Sequence, residues 1–289
     1  MRRVAIQGIA GCFHEQAARD YFRDEQIEVV ACKSFAKEFE ALADDRELLG
    51  IIAIENTIAG ALLQNHELLR RSDMRIVGEQ KIRIELVAAS LPEESIEDVV
   101  EINSHPIALM QCQSWLGRRP HIKVVEGDDT ASSAQNISAN RLHGHAAICG
   151  ELAAELYGLK ILERGIETNK RNFTRFLILA PEDKASEMVE SSTINKSSIA
   201  LTLPHTTGAL SKVLTILSFY DLNMTKIQSM PIIGREWEYQ FYIDVSFDDY
   251  QRYRQAIEAV RPLTNYMKIL GEYASCAEAS SRESKQIKY

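Results

Sequence analysis

Four consecutive apolar residues, Ile51-Ile52-Ala53-Ile54, place the strongest limit on what this chain can fold into. A strand with one wet face alternates apolar and polar side chains, because successive Cβ atoms point to opposite sides. An unbroken apolar run needs both faces covered, as in a mostly parallel sheet with helices on each side. The neighbouring segments agree. Val4-Ala5-Ile6 is a short apolar strand, Gly8 and Gly11 flank a turn, and Phe13 to Phe22 carries helical spacing. Ile27 to Ala31 is a second strand, and Phe35, Phe39 and Leu42 mark a second helix. Repeated β-α-β units of this kind define an α/β domain.

From Arg75 to Ala89 the pattern changes to long extended segments, which suit a hinge between two lobes. After Ile102 the alternation resumes: helix over Pro106 to Trp115, strand over Ile122 to Val125, helix over Thr130 to Leu142, strand over Ala146 to Cys149, helix over Glu151 to Tyr157. Phe173 to Ala180 closes the domain, 1–180, as a strand. Residues 181–197 are polar and mixed, with few core residues, and read as a linker. Residues 198–273 form a compact unit. Its strands are Ser198 to Leu203, Leu222 to Gln228, Trp237 to Val245 and Met267 to Tyr273; its helices are Ala209 to Phe219 and Tyr250 to Val260. That order, βαββαβ, is ferredoxin-like. The tail, 274–289, is polar and is expected to fray.

Composition narrows the partners. Among 289 residues the net charge is −8, and no basic run interleaved with aromatics stands out, so nucleic-acid binding is not expected. No apolar stretch is long enough for a membrane span or a secretory signal. The five cysteines, Cys12, Cys32, Cys112, Cys149 and Cys276, are odd in number and mostly in apolar runs, which reads as reduced thiols in a cytoplasmic protein. His143-Gly144-His145 with Cys149 matches no zinc spacing, so no metal site is expected. Phosphate-binding and dinucleotide-binding loops are missing, and no cofactor is expected.

Polar clusters recur where an apolar strand gives way to a helix: Gly8 to Cys12, Glu55-Asn56-Thr57, Ser104-His105-Pro106 and Asp128-Asp129-Thr130. Ligands of open α/β sheets bind at the carboxyl ends of strands, where helix N-termini present N–H groups. Asn, Ser and Asp are also ordinary helix caps, so each cluster alone fits either reading. Thr174-Arg175-Phe176 differs, because an Arg next to the apolar run Leu177-Ile178-Leu179 either meets an anion or turns to water.

Taken together, these strings resemble the prephenate dehydratase family. The resemblance rests on Gly8-x-x-Gly11-Cys12-Phe13, Glu55 to Gly60, Ser104 to Cys112 and Thr174-Arg175-Phe176, and runs from residue 4 to about 273. The C-terminal unit resembles the family's ACT regulatory domain through Gly208-Ala209-Leu210 and Gln228-Ser229-Met230-Pro231. The family implies a two-lobed catalytic domain like type II periplasmic binding proteins, converting prephenate to phenylpyruvate with loss of water and carbon dioxide. With no chorismate mutase segment ahead of residue 4, the resemblance is to the monofunctional form.

By resemblance, Thr174 stands at the departing hydroxyl and Arg175 binds a substrate carboxylate. Asn56, Ser104 and Gln111 fix the ring, and Thr57, Thr130 and Phe176 complete the substrate site; Glu55 either orients its neighbours or forms a cleft-edge salt bridge, and His105 either donates to the hydroxyl or holds a structural hydrogen bond at the helix start. The effector L-phenylalanine is assigned to Gly208, Ala209, Leu210, Asn223 and Ser229, at an interface within a homodimer or homotetramer. Two departures stand out. Gln228 and Met230 replace a Glu and an Arg of the effector motif, which puts the feedback in question. Cys12 and His14 stand where Thr or Ser are usual. A lyase acting on arogenate and a non-catalytic amino-acid sensor are the competing readings.

Overall fold

A computed structural model describes residues 1–23, 25–232, 234 and 238–276. Trp237, where the sequence starts a strand, and residues 277–289 of the polar tail lie outside the described residues. The chain divides into two compact units: residues 1–65 with 81–176, and residues 66–80 with 177 onward.

The chain begins with β1 (Arg2–Gln7), α1 (Phe13–Tyr21), β2 (Ile27–Cys32), α2 (Phe35–Asp44), β3 (Leu49–Asn56) and β4 (Gly60–Ala61). It leaves the first unit within α3 (Leu63–Arg71) and re-enters within β5 (Met74–Arg83). There follow β6 (Val87–Ser90), β7 (Glu101–Ser104), α4 (Pro106–Gln111), α5 (Gln113–Leu116), β8 (Lys123–Glu126), α6 (Thr130–Asn140), β9 (His145–Cys149), α7 (Glu151–Leu156) and β10 (Lys160–Arg164). Within β11 (Phe173–Pro181) the chain passes to the second unit, which continues with α8 (Glu182–Met188), β12 (Lys196–Thr202), α9 (Ala209–Phe219), β13 (Asn223–Pro231), β14 (Tyr239–Ser246), α10 (Tyr250–Val260) and β15 (Tyr266–Tyr273).

The α/β class expected from the sequence is the class observed, with two sheets in the first unit. In one, β1 lies parallel between β2 and β3, with Val4 opposite Val29 and Leu49. The first six residues of β3 are buried, as the apolar run requires, and α1 and α2 pack against it. Gly50 leaves room for Leu42 of α2, whose Cδ1 would stand 2.7 Å from a Cβ there and would have to shift. The other sheet has the order β10-β6-β9-β7-β8, parallel around β7 but antiparallel where β6 meets β9 and β10.

In the second unit the order β13-β14-β12-β15 is fully antiparallel. With α9 and α10 it encloses a core that includes Leu201, Val213, Ile243, Tyr253 and Ile257. This is the ferredoxin-like βαββαβ arrangement. Buried polar groups run through it. Lys196 Nζ donates to both oxygens of Glu79, at 3.0 and 2.8 Å. Ser198 Oγ donates to Asp244 Oδ1 at 2.5 Å and sits 2.7 Å from Tyr273 Oη. Tyr253 Oη donates to Glu272 Oε1 at 2.6 Å and lies 2.9 Å from Ser197 Oγ.

Three stretches differ from the sequence reading. The segment 181–197 carries the helix α8, and its last residues, Lys196 and Ser197, already belong to a buried strand. No α8 residue is buried, so it lacks the apolar stripe by which a helix is recognised in sequence. The helix over Pro106 to Trp115 is broken at Cys112 into α4 and α5. Short β10, whose burial is only partial, escaped the pattern altogether.

Candidate active site

The turn after β1 is built by glycine. Gly11 has φ +87°, and a Cβ on it would approach the Ala153 Cα to 2.9 Å, so only glycine fits. Its N–H donates to Glu15 Oε2 at 2.7 Å. Cys12 precedes α1 without a side-chain cap bond, and burial pushes its thiol up to about 12, which makes it a poor nucleophile at neutral pH. His14 lies in the first turn of α1. Its Nε2 accepts the Ala53 N–H at 3.3 Å, and its ring meets Phe176 edge-on at 5.0 Å. Burial pushes the imidazole pKa down to about 3, so the ring is neutral.

The end of β3 sets the polarity of a chain of amides. Asn56 Oδ1 accepts the N–H groups of Ile58 and Ala59, at 2.9 and 2.8 Å. Backbone N–H groups can only donate, so this fixes which end of the Asn56 amide is which. Nδ2 therefore donates, to Asn172 Oδ1 at 2.8 Å and Thr174 Oγ1 at 2.9 Å, with the Phe173 carbonyl a longer third acceptor at 3.2 Å. Asn172 is fully buried, and its own Nδ2 donates to Gln111 Oε1 at 3.0 Å. Two consequences follow. Thr174 Oγ1 already accepts a hydrogen bond, so its own O–H is left to donate. Gln111 has its oxygen occupied, so its Nε2 is left to donate.

These donors border a cavity of about 310 Å³, whose lining includes Asn56, Gln111, Thr174, His14, His105 and Thr130. Its apolar wall includes Ile84, Leu86 and Phe176. His105 caps α4: its Nδ1 accepts the Ile107 N–H at 3.2 Å, and Pro106 opens the helix. Thr130 opens α6. The preceding Asp129 carboxylate is occupied in a capping box, accepting the Ser132 N–H at 2.7 Å.

The remaining expected residues lie elsewhere. Ser104 is fully buried, and its hydroxyl donates to Ile148 O at 2.6 Å, inside the second sheet. Thr57 holds the β11 approach, donating to Arg171 O and accepting from the Phe173 N–H. Glu55 is half-buried at the end of β3 and is not among the lining residues. Arg175 is buried but absent from the lining; strand alternation gives it the face opposite Thr174 and Phe176. Asn172 and His14 belong to the assembly although the site reading omitted them. The period-two pattern Asn172, Thr174, Phe176 was the available signal for the first.

In the second unit, Gly208 takes φ +74° ahead of α9. Ala209 and Leu210 line a cavity of about 390 Å³ with Pro204, Thr206, Tyr239 and Phe241. Asn223 and Ser229 are exposed on β13 and are not part of that lining. Gln228 Nε2 donates to Ser229 O at 3.0 Å. Among the described residues no cluster suits a metal ion, and no helix is long and apolar enough to cross a membrane.

A largely apolar cavity bordered by the Thr174 and Gln111 donors and by the Asp129 carboxylate, within a two-sheet α/β unit, is the form of a small-molecule site in an α/β protein. Residues 4–184 match the prephenate dehydratase family. The bifunctional chorismate mutase/prephenate dehydratase of Aquifex aeolicus is 32% identical over 273 residues, covering 94% of this chain and 73% of that protein. The Arabidopsis thaliana arogenate dehydratase/prephenate dehydratase 2 is 32% identical over 283 residues, covering 94% and 72%. The chain belongs to the prephenate dehydratase family. Among solved structures, GqqA, described as a novel type of quorum quenching acylase, superposes with TM-score 0.82 at 28% identity, over 95% of this chain and 98% of that one. The Arthrobacter aurescens prephenate dehydratase, in complex with L-Phe, shares the fold with TM-score 0.83 at 24% identity, over 99% and 92%.

Proposed function

We propose that the first unit binds prephenate in the 310 Å³ cavity and converts it to phenylpyruvate, releasing water and carbon dioxide. The observation that carries this reading is the fixed polarity of Asn56, Asn172 and Gln111, which leaves the Thr174 hydroxyl and the Gln111 amide as donors. Aromatisation of the ring drives the reaction. The difficult event is departure of the ring hydroxyl, which takes up one proton from solvent and leaves as water, while the carboxylate leaves as carbon dioxide and its electron pair aromatises the ring. A donor held at the departing oxygen stabilises the charge that develops there, and costs no reorganisation when it is already oriented. A threonine hydroxyl is too weak an acid to act alone, so Thr174 serves as an oriented donor. Gln111 holds the substrate, and His105 and Thr130 complete its surroundings. Arg175, on the other face of β11, is assigned to fixing the strand that carries Thr174 rather than to a carboxylate clamp. Ser104 is assigned to holding β7 against β9; Glu55 and Thr57 shape the β3 end.

The second unit is proposed as an ACT domain that binds L-phenylalanine at the Gly208–Leu210 turn, within a homodimer or homotetramer. Its ferredoxin-like topology and the 390 Å³ cavity support this, as does the L-Phe bound by the A. aurescens protein. Mixing the protein with prephenate and following the ultraviolet absorbance of phenylpyruvate tests the first proposal; no product sinks it. Arogenate, assayed alongside, is expected to turn over more slowly. Titrating L-phenylalanine tests the second: activity and melting temperature should both respond.

A further inference from the structure

We infer that His14 touches the ligand of this cavity: its Nδ1–H donates to an acceptor oxygen, carboxylate or keto, of the bound organic acid, and disfavours a ligand that brings an ammonium group to that point. The inference rests on the reading of the cavity as an organic-acid site and names a specificity contact within it.

The geometry assigns each nitrogen. Nε2 accepts the Ala53 N–H, so it carries no proton. Burial keeps the ring neutral, so the single imidazole proton sits on Nδ1. That N–H has no acceptor among the described residues, yet the ring lines the cavity beside Phe176 and Ala53. Nδ1 is not one of the fully buried unpaired atoms of the described residues, so its N–H opens onto the cavity, where an acceptor can reach it. A ligand oxygen supplies the missing partner. The contact is neutral, so it needs no proton uptake on binding. It also discriminates: a keto or carboxylate oxygen completes the hydrogen bond, whereas an ammonium opposes donor to donor. The residue stands in the first turn of α1 and lines the same cavity as Asn56 and Thr174.

Two substitutions separate the two nitrogens. His14→Gln keeps an oxygen that can accept the Ala53 N–H but removes the donor at the Nδ1 position. His14→Asn keeps an N–H near Nδ1 and loses the acceptor. The expected result for His14→Gln is a KM for prephenate raised about tenfold, the loss of one neutral hydrogen bond, with the prephenate-to-arogenate preference reduced and the melting temperature little changed. His14→Asn should melt lower but keep a KM near that of the unsubstituted protein. An unchanged KM and preference in His14→Gln overturns the inference. A readout free of turnover accompanies them: long-range 1H–15N spectra of histidine-labelled protein at pH 7, with His14 assigned by its absence in His14→Gln. The expected spectrum shows a neutral ring protonated at Nδ1, whose Nδ1 resonance moves on adding phenylpyruvate. A proton on Nε2, or an unmoved Nδ1 when calorimetry shows phenylpyruvate bound, overturns this inference and leaves the proposed reaction standing. A protein that binds neither prephenate nor phenylpyruvate overturns both.

Discussion

Both units bury polar side chains, and they terminate them differently. In the second unit the chains of hydrogen bonds end on protein. Lys196 meets Glu79, which also accepts the Cys276 N–H; Ser198 joins Asp244 and Tyr273; Ser197 and Tyr253 lead to Glu272, which Tyr250 also reaches. In the first unit the chain starts on backbone N–H groups at Ile58 and Ala59, passes through Asn56 and Asn172, and ends with surplus donors on Thr174 and Gln111 at a cavity. Burial of a polar group therefore says little about function. What distinguishes Thr174 and Gln111 is that their remaining donors border a cavity, whereas Trp115 Nε1 and Gln240 Nε2, also buried without a partner, border no part of it.

The comparison breaks first at Lys196. Lys196→Met leaves the Glu79 carboxylate buried without its cation and should cost about 3–5 kcal/mol in denaturant unfolding, while adding Glu79→Leu should recover most of it. A small loss from Lys196→Met would mean the second network is not a closed structural device. Thr174→Ala is the matching test in the first unit. It should lower kcat about 100- to 1000-fold, the usual loss for one oriented donor, with the KM for prephenate and the unfolding free energy nearly unchanged. Undiminished turnover would remove Thr174 from the chemistry.

Acid acts on the first unit through two buried groups, with opposite signs. His14 in the folded chain resists protonation down to about 3, whereas an unfolded histidine takes a proton near 6.5. The unfolded state thus binds more protons in that window, and stability falls as pH drops through it, by roughly 2 kcal/mol between pH 7 and pH 5. Glu38 works the other way: burial holds its carboxyl protonated well above the usual range, so acidification favours the fold. Comparing the stability–pH curves of the unsubstituted protein and His14→Gln isolates the histidine contribution, and parallel curves would refute it. The smallest effect expected is Tyr253→Phe, which removes one hydroxyl from the second network; a loss of about 1 kcal/mol with unchanged kcat is the expected outcome in paired unfolding and turnover measurements.

Much of this architecture was legible in the sequence because it rests on apolar periodicity. The run at Ile51–Ile54 required a doubly covered strand, and β3 is one. The stripe at Leu210, Val213, Leu214 and Leu217 required a helix, and α9 is one. Elements without such a signal were missed: α8 buries nothing, and β10 is only partly covered. Of the residues named from the strand-end clusters and the motif strings, Asn56, Gln111, Thr174, His105 and Thr130 border one cavity. Ser104 and Arg175, equally prominent in the motif strings, lie outside that lining. Adjacent residues on a strand face opposite ways, so the pair Thr174-Arg175 could not serve one cavity equally.

By itself, the sequence determined the class of fold and the βαββαβ order of the second unit, since hydrophobic pattern and chain direction are local properties. Only the tertiary structure decided which atoms face the cavity and with which polarity. That choice depends on Asn172 lying between Asn56 and Gln111, and on Ala53 meeting His14, contacts between residues 39 to 116 positions apart in the chain. A hydrogen bond has a direction only when both partners are in place, and no local pattern records who the distant partner is.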